Sequence, residues 1–371
     1  NVAYLSGDFF EHPVSLFMRP VLERHDRRVV QTFCYSSYRR DNAVAGVLRR
    51  LSAHWRDIAG WNDDALVDQL LRDRIDVLID LSGHTDRNRL SALARHPAPV
   101  QVTWLGYLNT TGLSAMDYRI CDSHTDPPGV TERLHTERLI RMPHSQWCYA
   151  PWMHVEAVDE PHPDRPNDLV FGSFNQHAKI SDECLALWCR VLNEVPAASL
   201  VVLDVRDRHI GKTLVRRFER NGIDRARIVL QGRQSFSDYF QSIGNVDIAL
   251  DTFPYNGATT TFDTVWMGVP VVALQGDRPI ARGSYSILKS LDAPELIARS
   301  ADEYVEINCR LANSPEWRSE LRSSLRRRLA ASALMDASAF VAALEARYRE
   351  IWTDWCARQS GHPLSEFEIG R

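Results

Sequence analysis

Lysine is nearly missing from this chain: of its 44 Lys and Arg residues three are Lys, at positions 179, 212 and 289. Long apolar runs are missing too. No stretch approaches the ~20 residues that a membrane-spanning helix requires, and the opening residues lack the pattern of a signal peptide, so no membrane partner is expected. Net positive charge is also absent. With 48 Asp and Glu the formal net charge is -4, which excludes a broadly basic nucleic-acid-binding surface. The seven Cys contain no Cys-x-x-Cys pair and cannot all pair, which points to a reducing compartment and a cytoplasmic location. Several chemical motifs are wanting as well. There is no Asp-x-Asp triplet to clamp a metal on a nucleotide diphosphate, no His-Glu-x-x-His zinc spacing, no Walker loop, no Gly-x-Gly-x-x-Gly fingerprint and no Gly-x-Ser-x-Gly elbow. Phosphate charge would then be met by Lys, hydroxyls and helix ends, and neither a metal nor another cofactor is expected.

What is present belongs to a globular protein. Hydrophobic residues make up 44% and charged residues 25%, which leaves disorder and collagen-like repeats aside. At 371 residues the chain exceeds the roughly 250–300 at which one core stops growing, so two domains are expected. The Arg excess reads as the record of a G+C-rich genome. Arg cannot copy a compact ammonium on a thin stem, so a Lys that survives in such a chain is more often than usual one that the protein requires.

Short apolar runs alternate with helical patterns, the signature of parallel α/β structure. In the first half strands are predicted near 2–6, 29–35, 75–81, 100–104 and 118–121, with helices near 13–25, 40–52, 63–73 and 86–96. The stretch 122–168 is rich in proline and reads as loops and an interdomain connection. Beyond it strands are predicted near 168–174, 199–204, 227–231, 246–251 and 269–274, with helices near 181–194, 211–221, 235–244, 260–267 and 282–291. After 300 the pattern is helical, ending on a segment near 337–358. The expected architecture is two doubly wound, Rossmann-like domains facing each other across a cleft, with C-terminal helices. Their expected limits are 1–150, a linker 151–167, a second domain 168–335, and a C-terminal helix and tail 336–371.

In such sheets ligands sit beyond the carboxyl ends of the strands. Four turns there carry polar residues. Ser6-Gly7-Asp8-Phe9-Phe10-Glu11-His12 precedes a helix that opens on Pro13, and His12 suits either a base, a hydrogen-bond donor to a sugar, or a plain helix cap. Asp80-Leu81-Ser82-Gly83-His84 is a second turn of this kind. Phe174-Asn175-Gln176-His177-Ala178-Lys179 puts an ammonium just before a helix, where it can meet a phosphate as a point charge. Asp251 to Asp263 includes Asn256, Gly257, Ala258 and the run Thr259-Thr260-Thr261 at a helix start, which suits a pyrophosphate, with Asp263 one turn on to accept from ribose hydroxyls.

Five segments in order now resemble one family: Ser6-Gly7-Asp8-Phe9 to His12-Pro13, Trp104-Leu105-Gly106-Tyr107, Met142-Pro143-His144, Phe174-Asn175-Gln176 to Lys179-Ile180, and Asn256-Gly257 to Asp263. They resemble the catalytic region of the O-GlcNAc transferase and SPINDLY proteins, family 41 of the glycosyltransferases, over about residues 2 to 355. The resemblance implies a GT-B fold and an inverting, metal-independent enzyme that transfers one sugar, GlcNAc foremost, from a nucleotide sugar such as UDP-GlcNAc to Ser or Thr hydroxyls of a protein or peptide. It also implies N-terminal tetratricopeptide repeats outside this chain, which opens without Met on a strand. By motif, His12 matches the histidine facing the reacting sugar and Lys179 the lysine on the leaving diphosphate. Gln176, Asn256, Gly257, Thr259, Thr260 and Asp263 fall in the donor site. His84, Tyr107, His144 and Tyr255 are candidate acceptor or sugar contacts.

The chain departs from the O-GlcNAc transferase pattern in three places. Tyr255 stands where that pattern has a small cysteine near the N-acetyl group, Ala258 replaces a histidine, and the segment Phe236 to Tyr239 lacks the nucleotide-contacting lysine and histidine of animal enzymes. Residues 253–261 look nearer the SPINDLY branch, which uses GDP-fucose, a form that bacterial O-GlcNAc transferases share. The alternatives are therefore a protein O-fucosyltransferase, an N-glucosyltransferase, a transferase to small molecules or lipids, and a non-catalytic nucleotide-sugar-binding module.

Overall fold

The structure is a computed structural model that describes residues 1–151, 169–203, 205 and 207–360. Along the chain it places β1 (Val2–Ser6), α1 (Pro13–Arg24), β2 (Thr32–Ser36), α2 (Ala43–Leu51), β3 (His54–Asp57), α3 (Asp63–Arg72), β4 (Val77–Asp80), α4 (Leu90–Leu93), β5 (Val100–Thr103), β6 (Tyr118–Asp122) and β7 (Arg138–Met142). After the linker come β8 (Val170–Ser173), α5 (Asp182–Glu194), β9 (Ser199–Val202), α6 (Arg208–Arg220), β10 (Ile228–Leu230), α7 (Phe236–Gly244), β11 (Ile248–Leu250), α8 (Thr259–Trp266), β12 (Val271–Leu274), α9 (Gly283–Ser290) and β13 (Ile297–Ala298). Helices α10 (Ala301–Ala312), α11 (Pro315–Ala331) and α12 (Ala337–Gln359) end the described chain.

Two compact units result, one of Asn1–Trp152 with Ala333–Arg371 and one of Met153–Ser332. In the first, seven parallel strands follow the order β3-β2-β1-β4-β5-β6-β7. In the second, six parallel strands follow β10-β9-β8-β11-β12-β13. Both are doubly wound Rossmann orders that reverse at one place, between β1 and β4 in the first unit and between β8 and β11 in the second. The central strands are buried along their length, as β1 shows with five buried residues, because helices cover both sheet faces and leave no room for polar alternation.

The expected linker 151–167 lies almost entirely outside the described residues. Three strands go beyond the sequence expectation. β3 and β7 are sheet edges: β3 is half-buried throughout, and β7 begins on exposed Arg138 inside the proline-rich stretch read as loops. β13 is only two residues long. The last helix, set apart in the sequence expectation, packs in the first unit. Glu345 on α12 meets His25 Nδ1 at 2.8 Å, the Tyr348 and Tyr4 hydroxyls lie 3.2 Å apart, and Phe340 stacks on Trp104. Among the described residues no helix is long and apolar enough to cross a membrane.

Candidate active site

The second unit's switch point brings two predicted turns together, because β8 and β11 are neighbours in the sheet although their following loops are far apart in sequence. Lys179 ends a 3₁₀ turn, His177–Lys179, after β8. Its Nζ donates to the carbonyl oxygen of Asn256 at 2.9 Å, lies 3.4 Å from Asn175 Oδ1, and sits 4.0 Å from the centre of the Tyr255 ring. All three partners are neutral. Among the described residues no carboxylate forms an ion pair with it. Burial lowers its pKa to about 8, while the more distant charge of Asp251 opposes the shift. A partly desolvated ammonium with neutral neighbours is poised to receive an anion.

Asn175 is the hub of the arrangement. Its Oδ1 accepts from Thr260 Oγ1 at 3.1 Å, and its Nδ2 donates to Asp251 Oδ1 at 3.3 Å. Asp251 Oδ1 also accepts from the Gly257 amide at 2.8 Å, which fixes the turn that carries Asn256. Burial pushes the Asp251 carboxyl up to about 6 against its hydrogen bonds and Lys179. Gly257 is required by space: a Cβ there would lie 2.6 Å from both Thr260 Oγ1 and Thr261 Oγ1. Asn175 and Asp251 escaped the sequence reading as site residues. Both stand at strand ends among polar neighbours, but only the sheet order joins them.

The three-Thr run divides. Thr261 is buried and its hydroxyl meets Ser284 Oγ at 2.7 Å, whereas Thr259 and Thr260 are half-buried on the first turn of α8. Ala258 at the N-cap provides no side-chain cap, so the first-turn amides and the positive end of the helix dipole remain for a ligand. Asp263 is buried, and one of its oxygens accepts from the Tyr239 hydroxyl at 2.9 Å. Gln176 is exposed at the entry to the 3₁₀ turn.

In the first unit His12 and His84 follow β1 and β4, the two strands at that sheet's switch point. His12 is the N-cap of α1, and its Nδ1 accepts from the Val14 amide at 3.3 Å. An Nδ1 that accepts has no proton, so the neutral ring carries its hydrogen on Nε2. Burial, with the Arg87 charge, lowers its pKa to about 4 and keeps it neutral at physiological pH. Asp8, a residue the sequence reading left without a role, lies 3.8 Å from His12 Nδ1, and burial raises its carboxyl to about 6. His84 Nε2 donates to the Thr111 carbonyl oxygen at 2.8 Å, since a carbonyl can only accept, which makes Nε2 the protonated nitrogen. Its ring meets Tyr107 edge-on at 5.3 Å. Gly106 lets these two turns touch, since a Cβ would fall 1.9 Å from the Leu81 carbonyl oxygen. His144 is exposed two residues beyond β7, an edge strand of the first unit's sheet.

Among the described residues no group of three or more His, Cys, Asp or Glu is placed to hold a metal ion. The sequence profile of glycosyl transferase family 41 matches residues 1–153 and 161–344. The chain belongs to glycosyl transferase family 41. Within that family it is 38% identical, over 96% of its length, to the probable UDP-N-acetylglucosamine–peptide N-acetylglucosaminyltransferase SPINDLY of Petunia hybrida, and 30% identical over 97% of its length to the SEC protein of Arabidopsis thaliana. It covers 39% and 38% of those two relatives, so it spans about two fifths of the curated family 41 proteins it matches. A solved variant of the O-GlcNAc transferase of Thermobaculum terrenum superposes with a TM-score of 0.90 at 38% identity, covering 96% of this chain and 68% of that one. The family 41 chain thus has the GT-B fold. The Anabaena protein HepE, solved with UDP and glucose, matches at a TM-score of 0.58 and 12% identity over 95% of this chain and 99% of its own, a likeness of fold alone.

Proposed function

We propose that this chain is the catalytic region of an inverting glycosyltransferase that moves a single GlcNAc from UDP-GlcNAc to Ser or Thr hydroxyls of proteins, without a metal. The observation that carries the reading is the second unit's switch point: an ammonium with neutral partners beside an uncapped helix start bearing Thr259 and Thr260. The names of the family relatives support the donor and the peptide acceptor.

In this reading the acceptor oxygen forms a bond to the anomeric carbon as the bond to the diphosphate breaks, and the acceptor proton leaves to a base. Charge grows on the leaving diphosphate. Lys179 and the α8 amides meet that charge in a setting where fixed dipoles need no reorganisation. Asn175 and Asp251 hold Lys179 and Thr260 in register. Asp263 and Gln176 are assigned to the nucleoside side of the donor. His12, with its hydrogen on Nε2, is assigned to donate to the sugar, because its Nδ1 is already occupied by the Val14 amide. The cytoplasm is the proposed location.

A second reading has its own observation. Tyr255 lies against Lys179 where O-GlcNAc transferases carry a small side chain, which favours a donor without an N-acetyl group such as GDP-fucose. Thermal-shift measurements with UDP, GDP, UDP-GlcNAc, UDP-glucose and GDP-fucose separate the two, since a ligand raises stability by RT ln(1 + [L]/Kd). The first reading expects the UDP compounds to stand out. A response to GDP compounds alone selects the second, and no response to any of the five overturns both.

A further inference from the structure

A groove of about 550 Å³ runs along α6 beside β10, away from the switch point of the second unit's sheet. Arg208, Lys212 and Arg216 line it at helical spacing, and Arg225 joins them from the turn before β10. None of these four side chains holds a hydrogen bond or ion pair among the described residues, whereas Arg217, one position on, is tied to Asp182 at 2.7 Å. Among the described lining residues two carboxylates also border the groove. Asp207 caps α6, accepting from the His209 and Ile210 amides at 2.6 and 3.0 Å, and keeps its negative charge, so among the described lining residues the four cations outnumber Asp207 and Glu219 two to one.

The floor is apolar, formed by Val205, Val215 and Leu230 around Gly211. Gly211 lets α6 pack closely on β10, because a Cβ there would lie 3.1 Å from Leu230 Cδ1. β10 is a sheet edge, paired on the β9 side alone, and its Val229 is 42% exposed. From Arg208 to Glu219 the groove follows about 16 Å of helix, the length of about five extended residues. No aromatic ring appears among the described lining residues, so nucleobases would find no stacking surface.

We propose that the α6–β10 groove is a docking site for an acidic, extended peptide segment whose alternate side chains are apolar. The carboxylates meet the cationic rim, and the apolar side chains cover the Val and Leu floor. Lys212, one of only three Lys in the chain, then belongs to a recognition surface.

The test uses the whole chain and three fluorescently labelled probes in anisotropy titrations: an eight-residue Glu-Val repeat, an eight-residue poly-Glu and an oligothymidylate. The Glu-Val peptide is expected to bind best, and to weaken at least about tenfold in K212E/R216E and about threefold in K212Q/R216Q. An R50E control, on an exposed helix of the first unit, should leave binding unchanged, as should thermal shifts with nucleotide sugars in every variant. Should the reversed variant fail to fold, the neutral one carries the same test. Equal binding by the Glu-Val repeat and poly-Glu overturns the apolar floor, preference for the oligothymidylate overturns the peptide, and indifference to the substitutions overturns the site.

Discussion

The Nζ of Lys179 lies 2.9 Å from the carbonyl oxygen of Asn256, a residue 77 positions away in the chain. A carbonyl neutralises none of the ammonium's charge. Replacing Lys179 with Met should therefore relieve a buried charge and leave the ligand-free protein at least as heat-stable, while turnover falls by roughly 100–1000-fold, the scale of losing one electrostatic stabiliser. Steady-state kinetics and melting of the same variant check both halves. Near-normal turnover would remove Lys179 from the proposed mechanism.

The same ammonium predicts a pH dependence. Its folded value of about 8 is below the ordinary lysine range, so the site loses its charge as pH rises through 8, and nucleoside diphosphate affinity should fall there. The unfolded chain keeps that proton to about pH 10.4, so between those values this group makes the ligand-free protein more stable with rising pH. Asp251→Asn removes the charge that helps hold the proton, and should move the loss of affinity to lower pH. Calorimetric titration of UDP from pH 6.5 to 9.5 checks it, and coincident curves for the two proteins would refute the coupling.

His12 caps a helix and is assigned to the sugar, and two variants pull those roles apart. Asn at the N-cap can still accept from the first-turn amides, whereas Ala cannot and should destabilise the protein by about 1 kcal/mol. Neither retains an Nε2 hydrogen. His12→Asn is expected to restore stability relative to His12→Ala but not turnover. Full activity in the Asn variant would reduce His12 to a cap.

Gly257→Ala should destabilise by about 1–3 kcal/mol, because the added methyl collides with Thr260 and Thr261 inside a packed turn. The displaced Thr260 should also weaken nucleotide binding. Urea unfolding with and without UDP measures both, and a neutral outcome would mean that the turn yields more easily than its packing implies.

Tyr255 bears on the donor. Tyr255→Cys opens space beside Lys179 and removes a cation–ring contact of about 0.5–2 kcal/mol. It is expected to raise UDP-GlcNAc turnover relative to UDP-glucose. An unchanged ratio would place the N-acetyl group elsewhere.

Much of this was legible in the residues. Buried strands announce themselves as apolar runs, and a polar residue just past such a run is visible without coordinates, which is how His12, Lys179 and the Thr run came forward. Edge strands β3 and β7 were not visible, because a strand half in solvent carries His, Arg and Asp as readily as Val. Asp8, Asn175 and Asp251 were also hidden as participants. A carboxyl shows its role through what surrounds it, and the surroundings of Asp251 come from loops after two different strands.

The sequence by itself determined the α/β alternation, the family and the residue types available to meet a diphosphate, since these depend on local pattern and on motifs in order. Tertiary structure alone decided which of them cooperate. Parallel strand order put β8 beside β11, and so Lys179 beside Asn256; it turned Thr261 inward and left Thr260 on Asn175. It also divided the three lysines, one at the switch point, one in the groove along α6 and one, Lys289, on α9. The physical reason is that charge, burial and hydrogen bonding act through distance in space, which the order of residues along a chain does not specify.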